Sequence, residues 1–239
     1  MKYLDLSFDN PKENLACDEA LIDQCEDLDE GGILRFWESQ QHFVVVGYSN
    51  VIENEVNEDS CTKENIPILR RCTGGGTVVQ GPGCLNYCLV LRISDNSPLA
   101  TVTEANTFVM DKHKDVFTSL LGRSVEVKGH TDLALEGLKF SGNAQRRKRT
   151  FLLFHGTFLL DFDFQFVERA LRFPSKHPSY RKNRSHQEFL MNLKIPANPV
   201  KKALREAWNA LEPLDSVPTE RIEKLVAEHY GCESWISRS

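Results

Sequence analysis

The sequence of 239 residues has no long hydrophobic run, no excess of positive charge and no even set of cysteines. No segment approaches the roughly 18 consecutive apolar residues of a membrane-spanning helix, so we expect no membrane association. Residues 1–9 carry acidic side chains where a secretory signal peptide has a long apolar stretch. These absences predict a cytoplasmic protein.

Basic residues do not outnumber acidic ones, since 29 Lys and Arg stand against 34 Asp and Glu, for a net charge of −5. Nucleic-acid binding usually requires a basic field, so we expect no nucleic-acid partner. Two short basic runs, 146–149 and 181–184, stand out from this background. Such runs are usually solvated loops, although they also suit a landing site for an acidic partner or for nucleotide phosphates.

Seven cysteines are scattered along the chain, and an odd number fits free thiols in a reducing compartment better than a disulfide framework. Cys84 and Cys88 lie in a predicted strand, where four residues span roughly 13 Å. That distance is too long for two thiolates to share one tetrahedral zinc ion. The cysteines therefore predict neither disulfides nor a zinc site.

Hydrophobic periodicity and turn residues predict a mixture of helices and strands without strict alternation, which is typical of an α+β fold. Thr103 is a plausible cap of the clearest helix, and Gly122 is expected to end it. The predicted strands cover 33–37, 43–46, 68–71, 86–91 and 151–160, the last of them central and buried. The predicted helices cover 14–28, 103–121, 200–211 and 219–230.

Three successive glycines follow the predicted strand 68–71, within the segment Arg70-Arg71-Cys72-Thr73-Gly74-Gly75-Gly76-Thr77-Val78-Val79-Gln80-Gly81-Pro82-Gly83. Without Cβ atoms, backbone N–H groups there can approach phosphate or carboxylate oxygens, and an arginine supplies a two-pronged donor for the same anion. No Gly-Lys-Ser/Thr follows, which excludes a Walker loop, and the next segment reads as a strand, which excludes a dinucleotide fingerprint. A flexible hairpin without a ligand is the alternative.

Lys139 lies in a predicted hairpin, whose strands 133–135 and 138–140 flank the turn Glu136-Gly137. Its neighbours Leu138 and Phe140 should face the core, so Lys139 should project from the opposite face. A small-residue loop is predicted at 141–145. A strand lysine is usually only solvated, but beside a glycine-lined anion pocket it can stabilise charge developing on an oxygen atom.

Other candidate groups are fewer. The sequence contains no Ser-His-Asp order and no glycine-flanked serine elbow, whereas Cys72 and Cys84 inside the glycine motif remain candidate thiol nucleophiles. His155 interrupts an apolar strand, so its ring needs a hydrogen-bond partner in the core or on a ligand. Residues 173–185 lack periodicity and predict a long surface loop, which at this length is often functional.

Together, these segments resemble the catalytic domain of the lipoate–protein ligase A family, within the biotin/lipoate ligase superfamily. The similarity extends from about residue 1 to residue 192 and depends on the glycine and lysine motifs occurring at this separation. The matching segments are Asn14-Leu15-Ala16-Cys17-Asp18-Glu19-Ala20, Gly47-Tyr48-Ser49-Asn50, Glu55-Val56-Asn57, the glycine motif, Leu85-Asn86-Tyr87, Thr131-Asp132-Leu133, Gly137-Leu138-Lys139-Phe140-Ser141-Gly142-Asn143-Ala144-Gln145-Arg146 and His155-Gly156-Thr157-Phe158-Leu159-Leu160.

The resemblance implies a mixed, mostly antiparallel sheet flanked by helices, as one catalytic domain over 1–239 with C-terminal helices at about 199–230 packed on it. It also implies that Mg²⁺ and ATP convert lipoate to lipoyl-AMP, and that the acyl group then passes to a lysine of a lipoyl domain. That acceptor belongs to a 2-oxoacid dehydrogenase subunit or to the glycine cleavage H protein.

The family roles carry over residue by residue. Lys139 is the expected catalytic residue, and Asp132 is the candidate magnesium ligand. The residues expected to bind lipoyl-AMP or ATP are Arg71, Thr73, Gly74, Gly75, Gly76, Thr77, Val78, Gln80, Gly83, Ser141, Gly142, Ala144, His155 and Gly156.

The sequence departs from the family at Gln80, where His is usual, and at Cys84, where Asn is usual. The chain also is too short for the accessory C-terminal domain of many such ligases, so a separate accessory protein is an expected partner. Two other functions therefore stay open: an octanoyl or lipoyl transferase that moves an acyl group from a carrier protein without ATP, and a non-catalytic binder of lipoyl-adenylate.

Overall fold

The structure is a computed structural model that describes residues 1–94, 97–175 and 177–238. Its strands are β1 Lys2–Asp5, β2 Ile33–Trp37, β3 Phe43–Val46, β4 Ile68–Arg70, β5 Val78–Gln80, β6 Cys84–Arg92, β7 Val125–Lys128, β8 Asp132–Leu135, β9 Leu138–Arg147, β10 Phe151–Leu159 and β11 Glu212–Pro213. Its helices are α1 Pro11–Leu28, α2 Ile52–Glu55, α3 Glu58–Lys63, α4 Val102–Leu121, α5 Phe164–Ala170, α6 His186–Phe189, α7 Ala197–Ala207, α8 Thr219–Leu225 and α9 Glu233–Ile236. A short 3₁₀ helix covers Ser179–Arg181, and a π-helical segment, Val226–Tyr230, continues α8.

A large sheet of eight strands has the order β11-β1-β2-β6-β10-β9-β8-β7, and a small sheet has the order β4-β3-β5. In the large sheet β1 pairs in parallel with β2 and β11, and every other neighbouring pair is antiparallel. The expected α+β fold with a mixed, mostly antiparallel sheet flanked by helices is confirmed.

Alternating side chains send the two faces of the large sheet into different cores. On β2, Leu34 and Phe36 pack with residues of α4 and α7, whereas Ile33 and Trp37 pack with residues of α1 and α8. Arg35 lies between Ile33 and Trp37 on the α1 face and is completely buried. The sheet is therefore a middle layer, and the polar groups on its α1 face need partners inside the protein.

The cap of α4 differs from the prediction. Thr101, not Thr103, is the N-cap: its side chain accepts a hydrogen bond from the Glu104 N–H, and the Glu104 carboxylate bonds back to the Thr101 N–H. This reciprocal capping box satisfies two of the free amides at the helix start. Gly122 ends the helix in the left-handed conformation, with φ of 61°, as expected. Helix α7 ends at Ala207, four residues before the predicted 211, and Asn209 adopts a φ of 50° beyond it.

Residues 141–145 are not a loop, contrary to the prediction. They continue strand β9, which pairs with β10 from Ser141 opposite Phe158 to Arg147 opposite Leu152. Three of them, Gly142, Asn143 and Ala144, line the cleft described below, where small side chains leave room. Strand β10 is central, as predicted, and its second half borders this cleft.

The two basic runs are mostly bonded within the protein rather than solvated. Arg146 pairs with Glu19 of α1 at 2.5 Å, and Lys148 pairs with Asp23 of the same helix. Arg184 donates to the carbonyl oxygens of Arg181 and Gly137, which folds residues 180–184 into a tight turn. Among the helices of the described residues, none combines the length and the apolar character needed to cross a membrane.

Candidate functional site

A cleft of about 830 Å³ opens between the α1 face of the large sheet and the small sheet. Strands β2, β6, β9 and β10 form its floor, and the glycine motif with β5 forms one wall. Residues of α5, α6 and the 3₁₀ turn form the opposite wall. Its lining is mainly apolar with a few convergent polar groups, which is typical of a small-molecule site.

The glycine motif forms the lip of this cleft, and Gly75 requires a glycine. Its φ is +90°, and an added Cβ would lie 2.9 Å from Arg71 Nη2 and 3.6 Å from the Ala144 Cβ on β9. Gly74 and Gly76 face open space. The loop therefore approaches strand β9 directly and leaves room for a ligand on both sides of Gly75.

Arg71 does not present its donors to an anion, as the sequence suggested. Its Nη2 donates to the carbonyl oxygens of Gly74 at 2.6 Å and Gly76 at 2.7 Å, and its Nε donates to the Thr73 hydroxyl at 3.0 Å. Burial lowers the pKa of the Arg71 guanidinium to about 10. Arg71 lines the cleft but mainly holds the glycine loop, because a buried guanidinium must satisfy its donors.

Lys139 faces the glycine loop from β9. Its Nζ lies 2.8 Å from Asp132 Oδ1, and Asp132 Oδ2 accepts a hydrogen bond from the Tyr180 hydroxyl at 2.8 Å. A Cβ on Gly142 would lie 2.8 Å from the Lys139 Nζ, so this glycine makes space for the amine. The glycine loop and the Lys139 amine thus border one cleft, as their pairing in the sequence predicted.

His155 belongs to a hydrogen-bonded chain that the sequence did not reveal. Asp18 Oδ1 is 2.6 Å from Arg35 Nη1, Asp18 Oδ2 is 3.2 Å from His155 Nδ1, and His155 Nε2 is 2.7 Å from the Thr73 hydroxyl. Burial alone would raise the pKa of Asp18, but Arg35 and His155 hold it below its ordinary value. The Thr73 hydroxyl also accepts a hydrogen bond from Arg71 Nε, and the chain connects α1 to the glycine loop.

Gln80 takes part in a second polar row on the floor of the cleft. Its Nε2 donates to the Thr157 hydroxyl at 2.7 Å, and that hydroxyl donates to Asn86 Oδ1 at 2.6 Å. Among the described residues, the buried Gln80 Oε1 and the Trp37 indole N–H have no hydrogen-bond partner. Buried polar atoms without partners at a cleft are suited to a ligand.

Twelve of the predicted site residues line the cleft and four do not. Those that line it are Arg71, Gly75, Gly76, Thr77, Val78, Gln80, Asp132, Lys139, Gly142, Ala144, His155 and Gly156. Thr73 contacts His155 from behind the lining, and the Gly74 carbonyl contacts Arg71. Ser141 is buried within β9. Gly83 lies against the backbone of Asp161 instead. Its φ is +86°, and an added Cβ would lie only 2.2 Å from the Asp161 oxygen, so this position requires glycine.

The sequence analysis missed Asp18, Arg35, Asn86, Thr157 and Arg181 as site residues. Asp18, Asn86 and Thr157 lie inside matched motifs, so the motifs were a usable signal for them. Arg181 begins the basic run 181–184, which indicated phosphate binding only in general terms, whereas nothing in the sequence marks Arg35, whose importance depends on burial.

No cysteine lines the cleft in the part of the chain that the structure describes. All seven thiols are free, and six of them are buried. Burial raises the pKa of Cys72 to about 12 and the pKa of Cys84 well above its usual range. Because a thiolate is the reactive form, the burial of both thiols argues against either of these candidates as a nucleophile.

Asp132, the candidate magnesium ligand, is engaged within the protein in this structure. Both carboxylate oxygens are occupied, one by the Lys139 amine and one by the Tyr180 hydroxyl. Within 1–94, 97–175 and 177–238, no group of three or more His, Cys, Asp and Glu side chains is arranged to hold a metal ion. Asp132 instead positions Lys139.

The family model of the lipoyl protein ligase A/B catalytic domain matches residues 10–207. The chain belongs to this family. The match includes the glycine motif, Lys139 and the Asp18–His155–Thr73 chain, so every part of the cleft described above lies within the family domain.

Relatives in the lipoyl ligase family have two kinds of name. The chain is 27% identical to a Mycoplasma pneumoniae protein named a probable lipoate-protein ligase A, covering 94% of this chain and 68% of that protein. It is 27% identical to the Thermoplasma acidophilum lipoate-protein ligase A subunit 1, covering 95% and 92%. It is 24% identical to the Bacillus subtilis octanoyltransferase LipM, covering 98% and 96%.

Solved structures share the fold of this lipoyl ligase family member. A chain from the bipartite lipoate protein ligase of T. acidophilum, studied with its E2 lipoyl domain, superposes with a TM-score of 0.84 at 23% identity, covering 99% of this chain and 95% of that chain. A T. acidophilum protein with bound lipoic acid and a lipoate-protein ligase A bound with ATP each give 0.83 at 22% identity, covering 99% and 98%.

Proposed function

We propose that this protein is a lipoate–protein ligase that activates lipoate with ATP to lipoyl-AMP and transfers the lipoyl group to a lysine of a lipoyl domain. The observation that carries the proposal is that the glycine loop and the Lys139 amine border one mainly apolar cleft. Such a cleft suits a ligand with an acyl chain at one end and a phosphate at the other. Structural neighbours with lipoic acid or ATP bound support the same choice.

In the proposed adenylation step, a lipoate carboxylate oxygen attacks the α-phosphorus of ATP. The bond from that phosphorus to the bridging oxygen breaks, and pyrophosphate leaves with the electron pair. Amides of residues 74–77 and the Lys139 amine bind the phosphate and carbonyl oxygens. Preorganised donors of this kind stabilise developing negative charge without reorganisation.

In the proposed transfer step, the neutral amine of an acceptor lysine attacks the acyl carbon of lipoyl-AMP. The carbon–nitrogen bond forms, the carbon–oxygen bond to phosphate breaks, AMP leaves with the electron pair, and the surplus proton on nitrogen is released to solvent. Positioning and exclusion of water carry most of this step, because a mixed anhydride is already activated. Asp132 contributes by orienting Lys139, and Gly142 contributes by leaving room for its amine.

An octanoyl or lipoyl transferase that uses a carrier protein is the second candidate, supported by the 24% identity to LipM. A covalent transferase requires an acceptor nucleophile in the cleft. The described residues place no cysteine there, and the thiols of Cys72 and Cys84 are buried with raised pKa values. We therefore favour the ATP-dependent ligase.

The proposed macromolecular partner is a lipoyl domain, supported by the structural neighbour that was studied with its E2 lipoyl domain. That neighbour is bipartite, which supports a separate accessory protein as a further partner for adenylation.

The test is to incubate the protein with an apo lipoyl domain and to weigh the acceptor by mass spectrometry. Lipoylation that requires both lipoate and ATP supports the ligase. Octanoylation from octanoyl carrier protein without ATP contradicts it and supports the transferase. A third outcome is no modification from either donor, even when an accessory subunit of the T. acidophilum type is supplied. That outcome would contradict both enzymes and indicate a protein that only binds lipoyl-adenylate.

A further inference from the structure

Arg181 is a buried guanidinium in the wall of the cleft, and no described carboxylate forms an ion pair with it. The residue is 4% exposed and lines the cleft. Glu168, the acidic residue whose charge affects it most, lies instead 3.7 Å from His186. Within the described ranges, the Arg181 Nη2 has no hydrogen-bond partner. Burying a charged group without a partner is unfavourable, so a ligand anion is expected here.

The protein holds Arg181 in place but leaves most of its donors free. Its Nε donates to the Arg184 carbonyl oxygen at 2.9 Å, and its guanidinium carbon lies 4.8 Å and 5.0 Å from the ring centres of Phe173 and Phe189. Aromatic faces stabilise a cation only modestly. They do orient the planar fork, and such a fork binds phosphate oxygens in pairs.

Arg181 and Lys139 belong to the same part of the cleft. Tyr180, which precedes Arg181, donates to Asp132, the residue that binds the Lys139 amine. On the other side, the Met191 N–H donates to the Lys139 carbonyl oxygen at 2.9 Å, close to Phe189. Both cations thus line one cleft, which fits a ligand with several negative charges rather than a single carboxylate.

We propose that Arg181 binds the β- and γ-phosphates of ATP and compensates the charge of pyrophosphate as it leaves. This inference rests on the proposed ligase function. In adenylation the new bond joins the lipoate oxygen to the α-phosphorus, and the electron pair of the broken bond moves to pyrophosphate, next to Arg181. Lipoyl-AMP lacks these two phosphates, so Arg181 has no group to bind in the transfer step.

The experiment measures the two half-reactions separately in Arg181→Gln, Arg181→Lys and Lys182→Gln. Adenylation is followed by lipoate-dependent exchange of pyrophosphate into ATP, and transfer is followed from synthetic lipoyl-AMP to a lipoyl domain. We expect Arg181→Gln to lower kcat/KM for ATP about 100-fold, the usual size for truncating one member of a buried charge pair, and to leave transfer within about twofold. Arg181→Lys should recover part of the exchange, and the exposed neighbour variant Lys182→Gln should leave both half-reactions unchanged.

Equal losses in both half-reactions, or no loss in either, would overturn the assignment. A binding measurement keeps the test independent of catalysis: titration calorimetry with inorganic pyrophosphate should give binding to the wild-type protein that Arg181→Gln weakens at least about tenfold. Unchanged pyrophosphate affinity would refute the site. If the wild-type protein modifies lipoyl domains only from a carrier protein, the ligase function fails, while the pyrophosphate titration still decides the role of Arg181.

Discussion

The position of the Lys139 amine depends on few contacts. One carboxylate oxygen of Asp132 binds it at 2.8 Å, and Gly142 leaves space beside it. A positioned amine over the reacting carbonyl and phosphate oxygens should contribute mainly in the transition state. Lys139→Ala is therefore expected to lower acyl transfer about 100-fold or more, with little effect on folding. Rates of lipoyl-domain modification and thermal unfolding of the same samples check this.

The matched control is Lys128→Ala, because Lys128 is also a strand lysine paired with a carboxylate, that of Glu126, but does not line the cleft. It should leave turnover unchanged. Turnover within a few fold of normal in Lys139→Ala would remove Lys139 from the proposed mechanism.

Asp18 binds both Arg35 and the site residue His155. Replacing Asp18 should lower the stability of the protein, because Arg35 is buried. Asp18 and Arg35 are 2.6 Å apart with side chains almost fully buried. Asp18→Asn leaves the Arg35 charge uncompensated, so the free energy of unfolding should fall by about 3–5 kcal/mol. Urea denaturation at neutral pH measures this change.

Asp27→Asn on the same helix is the control, since Asp27 pairs with Arg221 and these side chains are 58% and 37% exposed. Exposed pairs contribute about 0–1 kcal/mol, so this variant should unfold close to the wild-type midpoint. A loss below about 1 kcal/mol in Asp18→Asn would mean that the protein does not depend on the buried pair.

At the scale of elements, the sequence predicted the core of the fold where local patterns are strong. Strands β2 and β3 match their predicted bounds, because bulky β-branched and aromatic residues end at clear turn residues. The hairpin of β8 and β9 follows from Glu136-Gly137, both with positive φ. The continuation of β9 through 141–147 was missed, because small polar residues are typical of loops, and only pairing with β10 makes them a strand.

In the site, too, residues with distinctive local patterns were predicted and contacts that depend on tertiary structure were not. The glycine loop and Lys139 were found because their residue types carry chemistry on their own. Arg71 was found but given the wrong contacts, since whether its donors face a ligand or the loop carbonyls depends on tertiary structure. The Asp18–His155–Thr73 chain joins three distant segments, and no local pattern predicts such a meeting.

The C-terminal segment 233–238 supports the glycine loop indirectly, and it lies beyond the family match. Buried Arg70 donates to the carbonyl oxygens of Gly47, Asn50, Ile236 and Arg238, and the Trp235 indole N–H donates to the Arg70 carbonyl oxygen at 3.1 Å. The 47–50 loop in turn bonds the glycine motif, through the Tyr48 N–H to the Thr73 oxygen at 2.8 Å.

Shortening the chain after Trp235 removes two acceptors of Arg70, so the glycine loop should open more often. We expect amide exchange of residues 73–77 to become about fivefold faster, the effect of losing one or two hydrogen bonds. Hydrogen–deuterium exchange followed by mass spectrometry measures it.

Arg221→Ala is the control for this segment, because Arg221 lies on α8 and pairs with Asp27 without touching Arg70. Exchange at 73–77 should be unchanged there. If the shortened chain also exchanges at the wild-type rate, the segment does not support the loop.

For the whole molecule, the large sheet separates two environments with different demands. The α1 face carries four polar residues, Arg35, Asn86, His155 and Thr157. Arg35 and His155 both bind Asp18, and Thr157 donates to Asn86. The core between the opposite face and helices α4 and α7 is mainly apolar. His113 of α4 is fully buried in it, against Tyr87 and Phe158 of the sheet. The first face carries the site, whereas the second contains the buried titratable group His113, so the pH dependence of stability can be followed apart from the site.

His113 predicts how the stability of the whole protein depends on pH. Its Nε2 accepts a hydrogen bond from the Trp208 indole N–H at 3.0 Å, and Tyr87 and Phe158 pack against its ring. Burial, with a smaller effect of Lys112, lowers the pKa of His113 to about 3. The unfolded chain binds a proton at this histidine below about pH 6.5, and the folded protein does not until about pH 3. Stability is therefore complete above pH 6.5 and is lost as the pH falls through that window.

Between pH 7.5 and pH 5, this difference should lower the free energy of unfolding by about 2 kcal/mol. Burial also lowers the pKa of His42 and His186, so these residues also destabilise the folded protein as the pH falls. His113→Gln keeps an acceptor for Trp208 and removes the titrating ring, so its stability should fall by about 2 kcal/mol less than that of the wild type over this range. The exposed variant His177→Gln should follow the wild type. Urea unfolding at both pH values measures these free energies. If wild type and His113→Gln lose the same stability between pH 7.5 and pH 5, the groups responsible for the pH dependence do not include His113.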